Sequence, residues 1–247
     1  MHPFTIPQEV SARVVARCGT PHPFATLHGH RTALVVVDMQ NAFMDPAVGH
    51  AVCDMAPAIV PAINRLAAAT RAAGGGVFWV QTVHDASDDR EWSVMQAMMT
   101  PAARARRVAA LARGSRGYDL WPDMDARAED ERVEKHRFSA FIQGSGALEA
   151  RLRARGFDTV LITGTVTSVC CESTARDAMM RDFRTVMVSD GNAAATEAEH
   201  AAALLGFYAM FGDVLTAAEC EAGFAAGAKD FAASAKDFAA SAKEIAA

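Results

Sequence analysis

Four short unbroken apolar runs, ALVVV at 33–37, VFWV at 77–80, TVLI at 159–162 and TVMV at 185–188, do most to restrict what this chain can fold into. A strand with one face in water alternates apolar and polar residues, so a continuous run needs cover on both faces, the condition inside a parallel sheet. ERVEK at 131–135 is a weaker fifth candidate. Between the runs the period becomes helical. Ile59, Ile63, Leu66 and Thr70 share one helix face before the turn AAGGG, and Leu148 and Leu152 share another ahead of Gly156, a C-terminal stop. Strands alternating with helices predict a three-layer α/β/α sandwich with right-handed crossovers, in which ligands bind beyond the carboxyl ends of the strands.

With 247 residues, 51% of them hydrophobic, the chain can bury one large core, placed at residues 31–222. A net charge of -5 argues against a nucleic acid partner. The five cysteines are odd in number and scattered, which reads as free thiols in a reducing compartment. No signal-like start or membrane-length apolar stretch is present, so a cytoplasmic protein without membrane partners is expected. Residues 1–30, rich in Pro and His, read as an extended N-terminal arm, and 85–130 is long enough to form a lid or an oligomer contact. Residues 223–247 read as an amphipathic helix whose seven-residue repeat stacks Phe231, Ala235, Phe238, Ala242 and Ile245. That stripe suits packing on its own domain or between subunits of a homo-oligomer.

Polar groups at strand ends are the candidates for chemistry. Asp38 follows ALVVV directly, where a carboxylate can serve as a base or cap the next turn. Lys135 ends ERVEK; a lone lysine is ordinarily a solvated charge. In TGTVTSVCCESTARDA, at 163–178, Cys170 and Cys171 stand where a strand gives way to a helix. Free N–H groups and the helix dipole there lower a thiol pKa and can hold an oxyanion, although two buried small hydrophobes would read the same way. The residues alone do not choose between the two sulfurs.

ALVVVDMQNAF, EKHRFSAF and ITGTVTSVCCESTARDA, in that chain order, together resemble the isochorismatase-like cysteine hydrolases over about residues 30–215. With the resemblance added, the expected fold is an α/β three-layer α/β/α sandwich with a central, mostly parallel six-stranded, Rossmann-like sheet. The resemblance implies Cys170 as nucleophile, Asp38 as the acid and base, and Lys135 as their cationic partner. It also implies a cis peptide at Thr165–Val166 and an oxyanion hole from the backbone N–H groups of Val166 and Cys170. Phe43 is the implied pocket aromatic, and Phe138 and Phe141 are further substrate-binding candidates.

Departures from the family pattern narrow the substrate. True isochorismatases lack the cysteine, so Cys170 favours an amide, ureido or carbamoyl compound. Nicotinamidases carry a metal cluster where this chain has QTVHDASDDREW, with His84 but Arg90 in place of a second histidine. Neither metal nor other cofactor is therefore expected, and His84 reads as a pocket edge or surface group. DMQNAF and LARGSRGYDLW are most similar to the ureidoacrylate amidohydrolase and biuret or triuret hydrolase branch. The expectation is a cysteine-dependent amidohydrolase with a small amide or ureido substrate, working through a thioester as a dimer or tetramer. Nicotinamidase, N-carbamoyl amino acid amidase and a non-catalytic assembly module are the alternatives. The arginines of AARARRVAALARGSR read as a solvated helix face in preference to a binding site for a substrate carboxylate.

Overall fold

The computed structural model describes the backbone of residues 2–245 and the side chains of residues 2–232. Its strands are β1 (Thr32–Val37), β2 (Gly76–Thr82), β3 (Glu131–Lys135), β4 (Thr159–Thr165), β5 (Arg184–Ala193) and β6 (Asp213–Leu215). They form one sheet in the order β3-β2-β1-β4-β5-β6, and every neighbouring pair is parallel. The four apolar runs lie in β1, β2, β4 and β5, and ERVEK is β3. The sheet is thus wholly rather than mostly parallel. The order reverses between β1 and β4, which opens a crevice at their carboxyl ends.

The helices are α1 (Gln8–Cys18), α2 (Asn41–Met44), α3 (Val60–Ala72), α4 (Asp88–Glu91), α5 (Ser93–Ala97), α6 (Pro101–Leu111), α7 (Leu148–Ala154), α8 (Glu172–Met180), α9 (Glu197–Met210) and α10 (Ala217–Ile245). Successive residues of β1 point to opposite faces, and both faces are dry. Leu34 and Val36 pack with Ile63 and Leu66 of α3 and Phe224 of α10, whereas Val35 and Val37 pack with Leu152 of α7, Ala178 of α8 and Leu204 of α9. Each such side chain contributes roughly 1.5–3 kcal/mol of burial free energy, which is why the runs are unbroken.

The N-terminal arm is not extended throughout. Helix α1 packs on α9, and Val14 is buried. Asp213 accepts hydrogen bonds from His22 Nδ1 at 2.9 Å and from the Phe24 N–H at 3.1 Å, so the segment lies on its own domain. The boundary drawn at residue 222 falls inside the continuous helix α10. The start of that helix packs in cis: the Leu27 N–H donates to Gly223 O at 3.1 Å, and a Cβ on Gly227 would lie 2.1 Å from Leu27 O. Of the expected stripe, Phe231 is exposed; the side chains of Ala235, Phe238, Ala242 and Ile245 lie outside the described residues.

Candidate active site

Three parallel strands deliver polar groups to one edge of the sheet. Asp38 follows β1 in the left-handed region at φ 54°, a conformation aspartate tolerates better than most residues, and its N–H donates to Val80 O at 2.9 Å. Thr82 and Lys135 end β2 and β3 and are partners in the register. Thr82 donates to Asp38 Oδ1 from Oγ1 at 2.8 Å and from its N–H at 3.1 Å. Lys135 Nζ donates to Thr82 Oγ1 at 2.6 Å and to Arg137 O at 3.1 Å. It also stands 2.9 Å from Asp38 Oδ2, but outside hydrogen-bonding angles, so that oxygen keeps its lone pairs free of a directed donor among the described residues.

The fourth group comes from β4. At Gly164 the φ is 118°, and a Cβ would lie 2.0 Å from Val37 O, so the strand can leave the sheet here only as glycine. A cis peptide joins Thr165 and Val166 at the position the family resemblance implies. One π-helical turn, Thr167–Cys171, then leads into α8, and it sets Cys170 Sγ 3.5 Å from Lys135 Nζ. Turns of this kind recur at functional sites because they re-aim a single side chain. Cys171 is fully buried in the core, with its Sγ 3.9 Å from Thr163 O. The two sulfurs are therefore not equivalent.

Electrostatics here differ from the expectation of a helix-entry thiol with lowered pKa. Burial, reinforced by the Asp38 charge, pushes the Cys170 thiol up to about 12, and Lys135 offsets this only in part. The resting group is a thiol. Burial alone would draw the Lys135 ammonium down, but Asp38 and Cys170 more than offset that and hold it charged.

Cys170, Thr82 and Lys135 line the floor of a cavity of about 330 Å³. Phe43 and Phe138 form part of its wall. Phe141 does not: it is core, packed edge-on against Phe183 at 5.3 Å. Trp92, Met95, Met99, Ala103 and Arg107, all from the long segment 85–130, line the cavity opposite that floor. The solvated-face reading suits exposed Arg113, which pairs with Glu134 and Asp85, but it fails for Arg107, which is only 5% exposed and lines the cavity. His84 is neither pocket edge nor surface: it is buried off the cavity, with Nε2 3.6 Å from Asp89. Among the described residues, no three His, Cys, Asp or Glu side chains cluster as a metal site.

Thr82 and His50 are site residues that the sequence reading missed. Thr82 had a signal, being the polar residue that ends the VFWV strand. His50 had none, since it lies in a loop and reaches the cavity by stacking edge-on with Phe43 at 5.1 Å.

The Isochorismatase domain family matches residues 32–219. A ureidoacrylate amidohydrolase from Variovorax paradoxus is 37% identical over 182 residues, 69% of this chain and 71% of that protein. Among solved structures, a cysteine hydrolase from Pseudomonas syringae pv. phaseolicola superposes with a TM-score of 0.72 at 29% identity, covering 81% of this chain and 95% of that one. N-carbamoylsarcosine amidase from Thermoplasma acidophilum superposes with a TM-score of 0.60 at 28% identity, covering 76% and 96%.

Proposed function

The chain belongs to the isochorismatase family, and we propose that within it this protein is a cysteine-dependent amidohydrolase that cleaves the C–N bond of a small amide, ureido or carbamoyl substrate. The observation that carries this reading is the meeting of Cys170 and Lys135 on the floor of one cavity, with Nζ 3.5 Å from the sulfur and 2.9 Å from the Asp38 carboxylate buried behind it. The names of the amidohydrolase and amidase relatives agree with it.

In the proposed reaction, Cys170 Sγ attacks the substrate carbonyl carbon while its proton passes to Asp38 Oδ2. A thiol near 12 supplies little thiolate at neutral pH, so transfer to the adjacent carboxylate accompanies attack. Lys135 stabilises the charge as it moves between carboxylate and sulfur. The backbone N–H groups of Val166 and Cys170 receive the oxyanion. Collapse breaks the C–N bond, Asp38 returns the proton to the departing nitrogen, and a thioester remains. Water, giving a proton to Asp38, hydrolyses it and frees the thiol.

The test is ammonia release from a panel of ureidoacrylate, biuret, triuret, N-carbamoyl amino acids, nicotinamide and simple amides. Cys170→Ala is expected to abolish turnover, and Cys171→Ala to leave a measurable fraction. The reverse pattern would place the nucleophile at the wrong sulfur. Turnover that survives both substitutions would remove the thioester route.

A further inference from the structure

Arg107 on α6 is the one buried arginine among the described residues. A guanidinium taken out of water ordinarily has a carboxylate against it, because an uncompensated buried charge is strongly destabilising. Among the described residues, Arg107 Nε is buried with no hydrogen-bond acceptor. The nearby carboxylates are committed elsewhere. Asp88 accepts from Arg137 Nη1 at 3.0 Å and from the Asp85 N–H at 2.9 Å, with His136 Nδ1 at 3.1 Å, and Asp38 is held by Thr82 and Lys135. Burial accordingly lowers the Arg107 pKa, with only more distant charges at Cys170, Asp38 and Asp88 working against it.

The guanidinium is nevertheless held in place. Its carbon lies 5.9 Å from the centroid of the Trp92 ring, within cation–π range. His50 lines the same cavity, and its Nε2 is likewise buried without a partner among the described residues. Burial and the charges of Arg107 and Arg106 lower the His50 pKa to about 4, so at neutral pH the ring is uncharged and can offer an N–H. Two donors without acceptors thus line a largely apolar cavity whose floor carries Cys170 and whose other arginine, Arg137, is already paired with Asp88 and Glu91. That pair of donors is complementary to an anion.

We propose that Arg107 is the specificity-determining anchor for a substrate carboxylate, with His50 Nε2 as second donor, so that the enzyme selects ureido or N-carbamoyl acids over neutral amides and ureas. This rests on the reading of Cys170 as the nucleophile of an amidohydrolase. The acid bridges the site: its carbonyl carbon lies at Cys170, its short apolar spacer lies against the apolar wall, and its carboxylate meets Arg107. Nicotinamide and biuret have no such group and leave both donors unpaired.

The experiment compares 3-ureidopropionic acid with its methyl ester, following ammonia release by the full-length wild type, Arg107→Gln and Arg107→Lys. The acid-to-ester ratio of kcat/KM is expected to fall roughly 10²-fold in Arg107→Gln, mostly through KM, with partial recovery in Arg107→Lys. Thermal melting is read alongside: Arg107→Gln melts at or above the wild-type temperature, because it removes an uncompensated buried charge. An unchanged ratio overturns the anchor while leaving the hydrolase reading intact, and so does a much lower melting temperature with both substrates lost equally. Calorimetric titration of the same proteins with succinate reads the anchor without any turnover. Loss of succinate binding in Arg107→Gln supports the anchor even if Cys170 proves not to be the nucleophile. Binding equal to wild type counts against it.

Discussion

Lys135→Met and Asp38→Asn, singly and combined, test whether the buried ion pair exists as described, independently of any substrate. At 2.9 Å and an effective dielectric of about 20, the Coulomb attraction of the pair is about 6 kcal/mol. Most of that is offset by removing both charges from water, so the pair adds little net stability. Breaking it from one side is another matter. Lys135→Met leaves a fully buried Asp38 carboxylate with only Thr82 as donor, which costs about 3–5 kcal/mol. For a domain of this size that is a fall in Tm of roughly 10–15 °C. Adding Asp38→Asn to Lys135→Met removes the stranded charge, so the double variant should be more stable than Lys135→Met alone. Urea denaturation at neutral pH, run as a double-mutant cycle, measures the coupling. If Lys135→Met unfolds within about 1 kcal/mol of wild type, or if the two losses simply add, then the two charges do not meet in the folded protein and the reasoning fails.

Gly164→Ala would place a Cβ 2.0 Å from Val37 O, a backbone atom of the paired strand, at a φ of 118°. It should cost more than about 4 kcal/mol and show as insoluble protein or a sharply lowered Tm, and wild-type melting would disprove the close approach. His200 is fully buried with Nδ1 3.0 Å from Thr167 Oγ1, and burial, then the charge of His2, lowers its pKa to about 4. Above pH 6.5 it is neutral in both folded and unfolded chains; between 6.5 and 4 only the unfolded chain takes the proton, so about 3 kcal/mol of stability disappears as pH falls through that window. Urea midpoints at pH 7, 5.5 and 4.5 should converge between wild type and His200→Gln, and a constant difference would show that His200 does not titrate this way.

What could be read in advance divides along physical lines. Strands buried on both faces leave a signal because each position, Leu34 and Val35 alike, must be apolar, so β1, β2, β4 and β5 were plain. Strand β6 has three residues, too few to establish any period. Asp38, Lys135 and Cys170 were picked out by motif order, yet Thr82, which holds the first two together, lies 53 positions from Lys135 and belongs to no motif. Arg107 was legible but passed over: Ala103, Arg107, Ala110 and Leu111 fall at helical spacing, and the last two are buried, so an arginine on that stripe must point inward. The thiol shows a limit of a different kind. A helix entry lowers a cysteine pKa by fixed local dipoles, which a sequence can suggest, whereas desolvation and the Asp38 carboxylate at the end of β1 raise it through contacts made far along the chain. Here desolvation is the largest contribution, with the Asp38 charge next. In the proposed reaction, activation of Cys170 accordingly comes from Asp38 during attack rather than from a thiolate waiting at rest.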